Sequence, residues 1–151
     1  MSGLKAMDLE MTVMSDRSQA AIVSIDPGRA RVGLAVLEKS GDILHKMIIE
    51  RAQLRAELSD LIENYSPDTI VIGSGTGSTR LAEEIVSHID DEIEIRFVNE
   101  EGSTEEALKL YYRQESGPVM GFFSRFISWR PSRPLDDYAA VVLGRRYLKG
   151  K

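Results

Sequence analysis

Three acids far apart in the chain, Asp26, Glu100 and Asp136, stand where a carboxylate can do chemistry. Asp26 ends the apolar run Ile22-Val23-Ser24-Ile25 and precedes Pro27-Gly28. A second apolar run begins after Arg31, so the stretch reads as a buried strand, a tight reversal and a pairing strand. A carboxylate buried at a strand end costs several kcal/mol unless a cation or hydrogen-bond donors compensate. A metal ion would compensate; so would an Asx turn, with Asp26 bonding its own backbone. The stretch alone leaves both open. Glu100 lies just past a predicted strand, and Asp136 opens a predicted helix on a face shared with Ala140, Leu143 and Tyr147. Singly, Glu100 and Glu101 read as turn acids, and Asp136 and Asp137 as acids favoured by the helix dipole by about 0.3–1 kcal/mol. Together, the three fall at the element ends where open α/β sheets build sites. Converging there, they would repel one another unless a divalent cation sat among them.

Composition narrows the ion. The 151-residue chain has no Cys and only His45 and His88. Thiol catalysis, disulfides and Cys-type zinc sites are excluded, and a His-based site is disfavoured. Carboxylates and water remain as ligands, which suits a hard ion, Mg²⁺ or Mn²⁺. No apolar run approaches the roughly 20 residues that span a bilayer. The first 20 residues carry Asp8, Glu10 and Asp16 and do not read as a secretory signal, so cytoplasmic residence is the expectation. Net charge is −5, but residues 109–151 hold nine Lys or Arg against three acids, a local excess of +6 on an otherwise acidic body. Such asymmetry can create a phosphate-attracting face.

The elements that must position these groups follow from hydrophobic period and turn signals. Residues 1–20, with four scattered Met, are expected to be a mobile N-terminal extension, and residues 21–151 one domain. Residues 21–26, 31–38 and 43–49 read as an antiparallel meander. Leu54, Leu58, Leu61, Ile62 and Tyr65 form a helical stripe that Ser66-Pro67 ends. Residues 69–72 read as a strand, followed by the loop Gly73-Ser74-Gly75-Thr76-Gly77-Ser78 and a helix carrying Leu81, Ile85 and Ile89. Residues 93–98 alternate as a strand with one polar face. Ser103 and Glu106 fit a capping box at the start of a helix to about residue 113. Residues 114–134, rich in Gly and Pro, are expected to be a long mobile loop, and residues 135–148 a closing helix. The order βββαβαβαα predicts an α/β fold: a mixed five-stranded sheet whose first three strands are antiparallel and later ones parallel, with right-handed crossovers and helices on both faces.

Two segments could touch a polyanion. The Gly-rich loop is neither a dinucleotide fingerprint nor a P-loop. It reads as a tight turn capped by Ser78, or as a cradle in which N–H groups near Ser74 and Thr76 meet a backbone phosphate. Residues 122–133 interleave Phe122, Phe123, Phe126 and Trp129 with Arg125, Arg130 and Arg133. Arginines can hold phosphates while aromatics stack on unpaired bases, at about 1–3 kcal/mol per base. The same aromatics could instead pack on the body or on a second subunit, which leaves a homodimer open.

Ile25-Asp26-Pro27-Gly28 with Arg31-Val32-Gly33-Leu34-Ala35-Val36 resembles the opening motif of the YqgF/RuvC-like branch of the RNase H-like superfamily. Val71-Ile72-Gly73, Val98-Asn99-Glu100-Glu101-Gly102-Ser103-Thr104 and Leu135-Asp136-Asp137-Tyr138-Ala139-Ala140 are similar to its later motifs, in family order. The resemblance spans about residues 20–150. It implies an RNase H-like fold and a Holliday-junction resolvase or a nuclease processing ribosomal RNA precursors. Asp26, Glu100 and Asp136 would then hold Mg²⁺ or Mn²⁺, and the nucleic acid would be RNA in preference to DNA. Asn99 and Glu101 depart from the family's usual Asp and Arg, and Ala139 stands where resolvases proper carry a further acid. A non-catalytic nucleic-acid-binding module on the same fold is therefore the second reading.

Overall fold

A computed structural model describes residues 20–115 and 131–150. The expected N-terminal extension, most of the 114–134 loop, and with it Arg125, Arg130 and the four aromatics, lie outside the described residues. Five strands form one sheet: β1 (Ile22–Asp26), β2 (Arg31–Leu37), β3 (Ile43–Glu50), β4 (Thr69–Gly73) and β5 (Glu94–Val98). Their order is β3-β2-β1-β4-β5. β1 pairs antiparallel with β2, and β2 with β3, whereas β4 runs parallel to both β1 and β5. This is the predicted mixed sheet. The short reversals allow antiparallel pairing; the helices after β3 and β4 return the chain to the same edge, which makes the later strands parallel.

The helices are α1 (Leu54–Tyr65), entered through a 3-10 turn at Arg51–Gln53, α2 (Ser78–Val86), α3 (Ser103–Glu115) and α4 (Asp136–Leu148). Ser66, at φ 46°, closes α1 in the left-handed conformation just before Pro67. Successive strand residues face opposite sides of the sheet. Val23, Ile25, Leu34, Ile70 and Ile72 accordingly pack with Leu54, Leu58, Leu61, Leu81 and Ile85 of α1 and α2. Ile22, Ala35, Leu37 and Val71 pack with Ala107 and Leu110 of α3 and with Tyr138, Ala140 and Leu143 of α4. Burial on both faces explains why β1 and β4 read as unbroken apolar runs.

Two starts differ from expectation. Ser103 is the first residue of α3 rather than its cap; Gly102, at φ 71°, precedes it, and Glu106 turns away to pair with Arg146 at 2.8 Å. Likewise α2 begins behind Gly77, at φ 86°, with no side-chain cap from Ser78, which is buried as its first residue. In both places a glycine supplies the conformation that lets the chain turn into the helix, so no hydroxyl cap is needed.

α4 lies almost on the sheet. A Cβ on Gly33 would fall 1.8 Å from the Asp136 carbonyl oxygen, and one on Gly144 would fall 2.5 Å from Leu37 Cδ1. Between these points the buried Ser24 hydroxyl donates to the Ala140 carbonyl. These contacts fix the height of α4 over β1 and β2 and so the position of its first residue. Gly33→Ala has no flexible neighbour to push aside, only backbone. It should destabilise the protein by about 2–3 kcal/mol in urea unfolding; a change under about 0.5 kcal/mol would mean that α4 is not seated as described.

Candidate active site

The C-terminal ends of β1, β4 and β5 open on one edge of the sheet, and the three acids are found there. Asp26 is the last residue of β1 and stands opposite Gly33 in the β1–β2 register. It is partly buried, and its carboxyl is pushed up from 3.8 to about 7, first by burial and then by the charges of Asp136 and Glu100. No hydrogen bond or ion pair to the Asp26 side chain occurs among the described residues, so the Asx-turn alternative gains nothing. Asp26 is a partly buried acid to which no cation among the described residues is paired.

Each outer acid is seated by glycines. Asp136 opens α4 directly over Gly33, on the β2 side of Asp26. Glu100 lies on the β4 side, where a Cβ on Gly75 would come within 1.9 Å of its Oε1 and one on Gly73 within 2.9 Å of its Oε2. The Gly-rich loop is therefore the seat of the Glu100 carboxylate, a role that its sequence, read as turn or phosphate cradle, did not disclose. Pro27, the neighbour of Asp26, borders the same Gly73 position at 3.4 Å from that Cβ.

The acids thus form two neighbourhoods that share Asp26. Among the described residues, no three of His, Cys, Asp or Glu stand close enough to hold one ion among them. The donors suit a hard divalent ion in kind, all being carboxylate oxygens, and Asp26 lacks the cation that such an ion would supply. A closed cage is not preformed. One protein cation already borders the site: Arg31 donates through Nε to Asp136 Oδ2 at 3.3 Å. Arg31 was not singled out from sequence, although its place five residues after Asp26, at the start of the pairing strand, was a usable signal.

The two adjacent acids at the start of α4 do different things. Asp137 is buried and points away from Asp26, accepting from Lys46 at 3.0 Å and Arg133 at 2.6 Å. Arg133 also lies over the rings of Tyr111 and Tyr138, whose centroids are 5.9 and 5.4 Å from its guanidinium carbon. Beside it the Tyr138 hydroxyl donates to Glu115 at 2.6 Å, and burial with that bond holds it protonated. Arg133, read from sequence as a phosphate ligand, thus sits in the brace that anchors α4.

Two clefts flank the acids. One of about 130 Å³ is lined by Asp26, Arg31, Thr104, Ala107, Asp136 and Ala139. The other, about 760 Å³, brings Arg29, Arg51 and Arg80 together with Thr76, Gly77 and Glu100. Arg51 is engaged there by Glu84 at 2.7 Å, which holds Glu84 below the usual carboxylate range. Ser74 and Thr76 are exposed on the loop, and the Ser74 N–H is spent on the Val98 carbonyl.

The family described as RuvX, Holliday junction resolvase, matches residues 20–150. The chain belongs to this family. Among solved structures, RuvC from Thermus thermophilus is similar at 14% identity with a TM-score of 0.50, over 87% of this chain and 97% of that one. T. thermophilus RuvC in complex with a Holliday junction substrate is similar at 13% identity with a TM-score of 0.54, over 87% and 94%. At these identities the likeness is one of fold, the RNase H-like fold that the motifs implied. No curated protein matches the chain. The family is one of nucleases, enzymes that act on nucleic acid.

Two outcomes test this geometry. Because Asp26 gives up its proton near 3.8 when unfolded and near 7 when folded, the folded state binds more protons between those values, and stability falls as pH rises through that window. The cost is absent below the lower value and complete above the upper one, at roughly 4 kcal/mol before relaxation. In chelator, Asp26→Asn should be more stable than the parent at pH 8 and nearly equal at pH 4; parallel stability curves would refute the buried charge. Asp137→Asn should cost about 2–3 kcal/mol by denaturant unfolding, as one buried member of a charged network is lost. Asp136→Asn should cost under about 1 kcal/mol, its ion pair among the described residues, with Arg31, being largely exposed. The reverse ranking would exchange the roles of the two residues.

Proposed function

We propose that this protein is a divalent-metal-dependent endonuclease acting on branched or structured nucleic acid, with Asp26, Glu100 and Asp136 as the metal-holding carboxylates. The observation that carries the reading is the acid of β1, pushed up to about 7 at a sheet edge and flanked by two further acids, with no cation paired to it among the described residues. Mg²⁺ or Mn²⁺ would be the ion. When bound, it supplies an activated water near neutral pH and charge to stabilise the leaving oxygen.

The chain's own residues do the rest. Asp26, shared between the two neighbourhoods, must be ionised, so metal affinity should rise as pH passes through about 7 and level off above it. Arg31 neutralises Asp136 at the mouth of the smaller cleft, and the exposed guanidinium donors that Asp136 leaves free could contact a substrate phosphate. Arg29 and Arg80, which have no ion pair among the described residues, would hold the backbone entering the larger cleft, beside the hydroxyls of Ser74 and Thr76. Arg133 can add a phosphate contact with the guanidinium donors that Asp137 leaves free. Arg125 and Arg130, outside the described residues, are retained as proposed phosphate ligands on their sequence alone. Both four-way DNA junctions and precursor ribosomal RNA fit these contacts, because every contact named is to backbone.

The second reading, a nucleic-acid-binding module without catalysis, is favoured by two observations: Arg31 pairs with Asp136, and no three acids among the described residues stand close enough to share one ion. The two readings separate in one experiment. Four-way DNA junction and precursor ribosomal RNA are incubated with Mn²⁺ and the parent protein, Asp26→Asn or Arg29→Ala/Arg80→Ala. The nuclease reading expects cleavage to fall at least about 100-fold in Asp26→Asn with binding retained, and binding to weaken about tenfold in the arginine variant. Cleavage by Asp26→Asn at the parent rate would eliminate the site. Salt-dependent binding with no cleavage by the parent would establish the binding module instead.

A further inference from the structure

The basic excess of the C-terminal third is only partly used by the site above. Five of its nine cations, Lys109 and Arg113 of α3 with Arg145 and Arg146 of α4 and Lys149 just past its end, line one groove of about 210 Å³ between the two helices, and Glu106 is the single acid in it. Of these, Arg146 is held by Glu106 and by the Asn99 carbonyl, each at 2.8 Å, and Arg145 by the Gly41 carbonyl at 3.0 Å. The side chains of Lys109, Arg113 and Lys149 have no ion pair or hydrogen bond among the described residues, and all three are exposed. Unpaired like charges on facing helices repel, and a folded protein of net charge −5 had acids enough to pair them.

We infer that the groove between α3 and α4 is a second phosphate-binding track, which grips a part of the nucleic acid away from the cutting edge. Three features fit a nucleic-acid backbone. The cations at 109 and 113, and at 145 and 149, are each one helical turn apart, about 6 Å along their axes, so they offer two rows of charge to a chain of successive phosphates. Five cations around one groove exceed what a single small anion would need. Finally, Arg146 reaches the carbonyl of Asn99, next to Glu100, so the groove abuts the loop that carries one of the three acids. A substrate lying across that loop would meet both the acids and the track, whereas a short single strand held at the acids would not extend so far. A branched or folded molecule would thus be preferred over a short linear one without any base being read.

The inference rests on nucleic acid being the substrate but not on its being cut. The test is accordingly binding, in the Asp26→Asn background with chelator. Lys109→Glu/Arg113→Glu/Lys149→Glu, and the milder Lys109→Gln/Arg113→Gln/Lys149→Gln in case charge reversal perturbs folding, are titrated with a four-way DNA junction, a folded ribosomal RNA precursor and a short single-stranded oligonucleotide. Each is measured at several salt concentrations. The expected result is a loss of at least about tenfold in affinity for the junction or the folded RNA, with a salt slope lower by about 2–3, and little change for the short strand. Unchanged affinity and slope for both large substrates would overturn the inference and turn attention to an acidic protein partner. Equal weakening for all three would also overturn it, because general attraction and not a separate track would then be at work. Should Asp26→Asn cleave like the parent, the proposed catalytic site falls while this measurement keeps its meaning.

Discussion

A carboxylate held in a partly buried place, with two other carboxylates nearby and no cation paired to it among the described residues, is the constraint from which the rest of this molecule can be understood. Asp26 cannot relax by moving, because it ends a strand paired on both sides and stands opposite Gly33. Nor can the acids beside it drift away. Asp136 is fixed by α4, which close contact at Gly33 and Gly144 presses onto the sheet, and Glu100 lies against Gly73 and Gly75. The fold holds like charges near one another by steric means. Burial first, and that repulsion second, give an Asp26 that keeps its proton to about neutral pH.

Much of the fold was legible in the sequence because its signals are local. Alternation, helical stripes, Ser66-Pro67 and the Gly-rich break each act within a few residues, and a two-faced core imposes apolar runs on β1 and β4 that stand out against a charged chain. The misread starts at Ser78 and Ser103 are instructive. A serine before a helical stripe looks like a cap, but Gly77 and Gly102 already supply the backbone turn, and their positive φ angles are not written in residue type.

The site was legible in a different sense. That Asp26, Glu100 and Asp136 fall at element ends could be read from spacing, but how far apart their carboxylates stand depends on the depth at which α4 sits. That depth is decided by Gly33, Ser24 and Gly144, residues with no chemistry of their own. The Gly-rich loop shows the same gap. Its spacing suggested phosphate because glycines there usually admit a ligand, whereas here they admit a side chain of the same protein. Arg31 was missed and Arg133 read only as a phosphate ligand because an arginine's role depends on which acid it meets: Arg31 meets Asp136 from far along the chain and Arg133 meets Asp137 four residues on.

Charge segregation ties these parts together. An acidic protein that handles a polyanion must keep its negative surface from repelling the substrate while keeping acids at the point of chemistry. The arrangement meets both needs by position. Arg29, Arg51 and Arg80 line one cleft beside the acids, and Lys109, Arg113, Arg145, Arg146 and Lys149 line the groove behind them. At physiological salt, charges more than about 8 Å apart are largely screened, so the overall excess of acid matters little to a phosphate once it is in contact. What the phosphate meets is the local field, and along both approaches that field is made chiefly by arginines and lysines. Asp26, Glu100 and Asp136 lie at the edge between these approaches, where a divalent cation, if bound, would gain from both the carboxylates and the phosphate they face.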